Sequence, residues 1–111
     1  MIVVADTSPI NYLVLIQEID ILPKMYGSVV VPQTVRDELV RLSAPQLVRS
    51  WVDHLPVWLE VRSPLALPDL SLAKLDAGER DAITLATELQ ADQLIVDDRE
   101  GRREAERRGI P

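Results

Sequence analysis

The sequence has 111 residues, a net charge of −6, 47% hydrophobic residues, one histidine and no cysteine. That length fits one domain with one modest core. Without cysteine there are no disulfides or thiolate metal sites, and the lone His54 excludes multi-histidine zinc sites, so any bound metal must be held by oxygen. The acidic balance argues against a module that grips nucleic acid through bulk positive charge, but not against a nuclease whose carboxylates hold divalent cations. No run reaches the roughly 18–20 apolar residues of a membrane span, and the start lacks a charged-then-apolar leader. The expectation is a soluble, cytoplasmic protein with no membrane association.

The chain opens on a β-branched apolar run, residues 2–5, that reads as a strand buried on both faces and ends on Asp6. Ser8 followed by Pro9 predicts a helix start with Ser8 as cap, and Ile10, Leu13 and Val14 then recur at helical spacing. A second short helix follows Asp20 and closes at Gly27, and residues 28–31 read as another buried strand. Pro32 leads into a helix with Val35, Leu39 and Leu42 on one stripe. Residues 45–54 read as helical, 57–61 as extended and 63–70 as a proline-punctuated loop. A helix from Asp76 to about Gln90, a short strand at 94–96 and a charged helix at 99–108 complete the chain. Strands alternating with helices, without repeats, predict a single α/β domain over residues 1–111 with a mostly parallel sheet. Such sheets bind ligands beyond the carboxyl ends of their strands.

Asp6 sits at the carboxyl end of the first strand, and Asp97 and Asp98 at that of the last. Taken singly, each suits a cap or turn better than a site, and Asp98 is well placed to cap the helix beginning at Arg99. Two helical glutamates are harder to assign to local structure. At roughly 100° per residue, Ala82, Ile83, Ala86 and Leu89 fall within about 80° of Glu79, which therefore heads the apolar face while Asp81 points away. Glu38 flanks the Val35, Leu39 and Leu42 stripe by about 60°, while Asp37 faces solvent. The run Asp76-Ala77-Gly78-Glu79 also has capping-box spacing, so a capping role and a site role for Glu79 stand level. Glu38 is mid-helix and has no capping role; its local alternative is an amphipathic side chain at the rim of the buried stripe.

Acidic groups from four segments at one sheet edge repel one another unless a cation sits among them. An all-oxygen set suits Mg²⁺ or Mn²⁺, which activate water and steady the charge developing on a phosphodiester. That pattern predicts metal-dependent phosphodiester hydrolysis without a covalent nucleophile. Other features are weaker. Arg99, Arg102 and Arg103 share a side of the last helix and could contact phosphates, but interleaved Glu100, Glu104 and Glu106 fit a solvated face better. Trp51 and Trp58 could stack a base, although filling a core or a dimer contact is the commoner use. His54 reads as a surface or helix-end residue.

With "VVADTSPINYL", "VVVPQTVRDEL", "LDAGERDAITLA" and "LIVDDREGRREAERRGI" in this order, the sequence resembles the PIN-domain family, in the branch of VapC-type toxin ribonucleases. The resemblance covers nearly the whole chain. It implies a Rossmann-like three-layer α/β/α sandwich that cuts RNA with Mg²⁺ or Mn²⁺ held by acidic residues. Those residues correspond to Asp6, Glu38, Glu79 and Asp97 or Asp98, with Asp6, Glu38, Glu79 and Asp98 in the catalytic roles. Asp81 is an alternative to Glu79, because "DAITLA" also matches the third-acid segment of VapC proteins; the stripe favours Glu79. Ser8 is expected as a polar neighbour of the metal as well as the helix cap. Relatives continue with another strand and helix where this sequence ends at "RRGIP", so a domain lacking those elements is expected. The resemblance further implies an antitoxin partner and a homodimer.

Two other classes compete. A receiver-type phosphoacceptor domain has an acidic pair early and a lysine on a late strand, whereas here the pair is late and Lys24 and Lys74 lie outside strands. A non-catalytic PIN-like module that contacts RNA or a protein partner is the closer alternative.

Overall fold

The computed structural model describes residues 2–41, 44–65, 72, 75–96, 103, 106, 109 and 110. Four strands, β1 (Val3–Ala5), β2 (Val29–Pro32), β3 (Leu59–Arg62) and β4 (Gln93–Ile95), form one parallel sheet in the order β3-β2-β1-β4. Around it stand the helices α1 (Thr7–Leu15), α2 (Ile21–Tyr26), α3 (Gln33–Leu39), α4 (Gln46–Val52) and α5 (Ala77–Leu89), and among the described residues beyond them Arg103 and Glu106 are also helical.

The continuous valine runs are buried on both faces because alternate residues feed opposite cores. Val3, Ala5, Val29 and Val31 pack with Ile10, Val14, Leu22, Val35, Leu39, Val48 and Val52 from α1–α4. Val4, Val30 and Leu94 pack on the other face with Ala82, Ile83, Leu85 and Ala86 of α5 and with Leu72, Leu75 and Ile110. The result is the three-layer α/β/α arrangement with a parallel sheet. Connections β1→β2→β3 step outward in one direction, and β3→β4 returns past β2 and β1. Because parallel crossovers are right-handed, that reversal puts α5 on the face opposite α1–α4. Edge strand β3 exposes Glu60 and Arg62, charges of the kind that discourage pairing with another chain.

The observed boundaries differ from expectation at one informative junction. Ser8 does not cap α1: the helix begins at Thr7, and Asp6, with extended backbone angles of φ −91° and ψ 177°, takes the N-cap position. The strand therefore turns into the helix within a single residue. Pro9 then falls in the first turn, where a missing N–H costs nothing. Elsewhere α2 follows Asp20 and stops at Gly27, whose φ of 79° favours glycine. Trp51 and Trp58 meet at 6.3 Å between ring centroids, tilted by 46°, and pack on the α1–α4 core, so they fill the fold rather than present a stacking platform. His54 is exposed just after α4. Among the described residues no helix is long and apolar enough to cross a membrane. Leu42 and residues 66–70 of the expected loop lie outside the described residues, as does Lys74.

Candidate metal centre

All four strands point their carboxyl ends to one edge of the sheet. The strand order reverses between β1 and β4, where successive connections leave to opposite sides, the place at which parallel α/β sheets generally take their ligands. Asp6 stands at that point. Its backbone N–H donates to the Ile95 carbonyl at 3.0 Å, continuing the β1–β4 ladder one residue past β1. Its side chain is 3% exposed and is engaged elsewhere than in capping α1. A carboxylate so deeply buried at a strand end is held by the fold rather than merely tolerated by a turn.

Glu38 reaches the same place from α3. The Thr7 hydroxyl donates to Glu38 Oε2 at 2.6 Å, and the Gly78 backbone N–H donates to Oε1 at 3.2 Å. Gly78 lies in the first turn of α5, where amides have no partner within the helix and the dipole favours negative charge. A Cβ at Gly78 would lie 2.8 Å from Glu38 Oε1, 3.1 Å from Glu38 Oε2 and 3.1 Å from Asp6 Oδ1. Two carboxylates from elements far apart in sequence thus close on one point, and the lack of a side chain at Gly78 provides the room.

Glu79, the next residue, is 7% exposed. Its amide donates to Asp76 Oδ1 at 2.9 Å, so Asp76 caps α5 as its spacing predicts, while Glu79 still heads the buried face. Asp81, which the stripe turns away from that face, meets α3 instead. It is half-buried and accepts from Thr34 Oγ1 at 2.9 Å, because α3 packs against the first turns of α5. In this arrangement Asp81 ties the two helices that carry Glu38 and Glu79. Replacing Thr34 by valine removes that bond at little cost in helix propensity. The expected loss is about 1 kcal/mol, read as a lower urea midpoint at unchanged slope.

Ser8 is exposed in the first turn of α1, and the neighbouring Thr7 is the residue that holds an acidic side chain. Arg103 is helical and exposed. Asp97, Asp98, Arg99 and Arg102 lie outside the described residues; they follow β4, whose Ile95 pairs in register with Ala5 beside Asp6. Among the described residues no three acidic or histidine side chains converge as a ready metal-binding group. The donor chemistry nonetheless suits a hard divalent cation: clustered carboxylate oxygens, a glycine cradle and no competing sulfur or imidazole. Thr7, Gly78 and Thr34 are the members that sequence reasoning missed. Only the glycine beside Glu79 in "DAGERDA" carries a visible signal for any of them.

The sequence matches the family model described as PIN domain over residues 2–111. The chain belongs to the PIN-domain family. Its fold is similar to that of a PilT N-terminus domain protein from the hyperthermophilic archaeon Sulfolobus solfataricus P2, with a TM-score of 0.65 and 17% identity, covering 99% of this chain and 83% of that one. At that identity the likeness bears on the fold alone. No curated protein matches the chain. In this PIN domain Asp6, at the β1–β4 reversal, meets Glu38 of α3 beside Gly78.

Proposed function

We propose that this PIN domain is a divalent-metal-dependent endoribonuclease, a hydrolase of RNA phosphodiesters, acting as the toxin of a VapC-like toxin–antitoxin pair. The observation that carries the reading is the approach of the Asp6 and Glu38 carboxylates to one side-chain-free point at Gly78, beside buried Glu79. PIN domains are typically metal-dependent nucleases. Asp6, Glu38 and Glu79, with Asp97 or Asp98, are the residues that would hold Mg²⁺ or Mn²⁺. Bound there, the ion supplies an activated water and offsets charge on the phosphodiester.

The chain's own residues do the positioning. Asp6 is fixed by the β1–β4 ladder, and Glu38 by Thr7 and by the α5 amide at Gly78. Arg99, Arg102 and Arg103 are the residues that would contact phosphate on this reading, in a chain whose overall charge otherwise repels RNA. An antitoxin and a second copy of the chain are the protein partners this reading carries.

The test is incubation with single-stranded RNA in millimolar Mn²⁺, with and without excess EDTA. Cleavage is expected only where metal is free. RNA left intact in Mn²⁺, together with a melting temperature that Mn²⁺ does not raise, would overturn the proposal in favour of a non-catalytic binding module, since a ligand of the folded state must stabilise it.

A further inference from the structure

We infer that Thr7 is the positioning residue for Glu38, so that its hydroxyl sets how tightly the acidic site takes a divalent cation. The inference rests on the reading of that site as a metal centre and goes beyond it, by assigning a role to a residue that is not itself a carboxylate donor.

Thr7 is the first residue of α1, directly after Asp6. A threonine inside a helix commonly turns its hydroxyl back to the carbonyl one turn earlier, as Thr84 does to Arg80 and Thr87 to Ile83. At the first helical position no earlier turn exists. The Thr7 hydroxyl instead spans 31 residues of sequence to Glu38 Oε2, and its 2.6 Å length is that of a charge-assisted O–H···O⁻ bond. The other oxygen of Glu38 takes the Gly78 N–H. Each oxygen therefore has a donor from a different element, α1 for one and α5 for the other, while the side chain itself belongs to α3.

Such bracketing matters most for glutamate, whose several rotatable bonds must be frozen for it to serve as a ligand. Asp6 is short and sits at the end of a strand fixed by ladder bonds, so it has less freedom to lose. Thr7 thus couples the residue after Asp6 to the carboxylate opposite Asp6, and fixes the spacing of the pair before a cation arrives. Groups that orient a ligand from behind are worth about 10–100-fold in metal affinity.

The test compares Thr7→Val, which keeps the branched shape and loses the donor, with Thr7→Ser, which keeps the donor. Mn²⁺ binding is measured by titration calorimetry on the intact chain, with circular dichroism verifying the fold of each variant. Mn²⁺ affinity is expected to fall by about tenfold or more in the valine variant and to stay within about threefold of wild type in the serine variant. A residue serving only the helix start would lower the metal-free melting temperature and leave affinity unchanged. Equal affinity in wild type and Thr7→Val overturns the inference, and so does a serine variant as weak as the valine one. Wild-type protein that takes up no Mn²⁺ overturns the metal reading itself, a result distinct from either.

Discussion

Asp6→Asn is expected to leave the fold intact and to reduce Mn²⁺-dependent RNA cleavage by at least about a hundredfold, beyond the range expected for loss of a supporting group alone. Asparagine matches aspartate in size, so the buried volume at the end of β1 is unchanged. The backbone bond from residue 6 to Ile95 does not depend on the side chain. Replacing the carboxylate also removes one of two negative charges that approach Gly78 together, which relieves repulsion in the metal-free protein. The stability change is therefore expected to stay within about 1 kcal/mol. A cation at the site, by contrast, loses a formal charge and a strong donor. Were Asp6 only a turn or cap residue, asparagine, which caps as well as aspartate, would leave stability within about 1 kcal/mol of wild type and cleavage would persist. Rates of cleavage at saturating Mn²⁺, set beside urea unfolding of both proteins, separate the two cases. Equal cleavage by wild type and Asp6→Asn removes Asp6 from the chemistry.

The strands and the α/β class were legible because "IVVA" and "SVVV" are continuous β-branched runs, a pattern that half-exposed strands do not show. Sheet order was not legible. The placement of β4 beside β1 depends on a crossover of thirty residues, and it is this placement that puts the reversal of strand order at Asp6. For the site, helical arithmetic was sufficient for Glu79, since one core covers the face it heads. The same arithmetic turned Asp81 away from that face but did not say what it meets, because a stripe describes contact with the sheet and cannot foresee that α3 will cover a second side of α5.

The Ser8–Pro9 pair illustrates a different limit. The dipeptide matches a helix-start signature, but the strand end leaves Asp6 already extended, and the helix begins one residue before the expected cap. Thr7 consequently occupies the position that faces α3, and Ser8 turns to solvent. A one-residue shift, invisible to a local pattern, decides which hydroxyl meets Glu38. The carboxyl-terminal acids Asp97 and Asp98 are part of the proposed site on sequence grounds alone.

Gly78→Ala is expected to change stability little and to weaken Mn²⁺ binding and cleavage by about tenfold or more, as for loss of a residue that orients a ligand. Two effects on folding oppose each other. Alanine in a helix is favoured over glycine by about 0.8–1.0 kcal/mol. The added Cβ, however, would stand 2.8 Å from Glu38 Oε1 and 3.1 Å from Asp6 Oδ1, and the first contact is too close to persist. Forcing atoms into filled space costs about 1–3 kcal/mol where neighbours are rigid. Here the nearest atom is the tip of a glutamate, so the side chain yields and most of that strain is relieved. Relief of strain is what damages the site: as Glu38 withdraws, it loses the Gly78 amide and the Thr7 hydroxyl and no longer faces Asp6. Gly27→Ala is the control, because its Cβ would meet nothing within 4 Å, while its φ of 79° is strained for alanine. That variant is expected to lose about 1–2 kcal/mol of stability and to bind Mn²⁺ normally. Opposite signatures in the two glycine variants, one in metal affinity and one in unfolding, would show that the glycine at the start of α5 serves the acidic pair and not the helix; a Gly78→Ala protein with wild-type Mn²⁺ affinity would show the reverse.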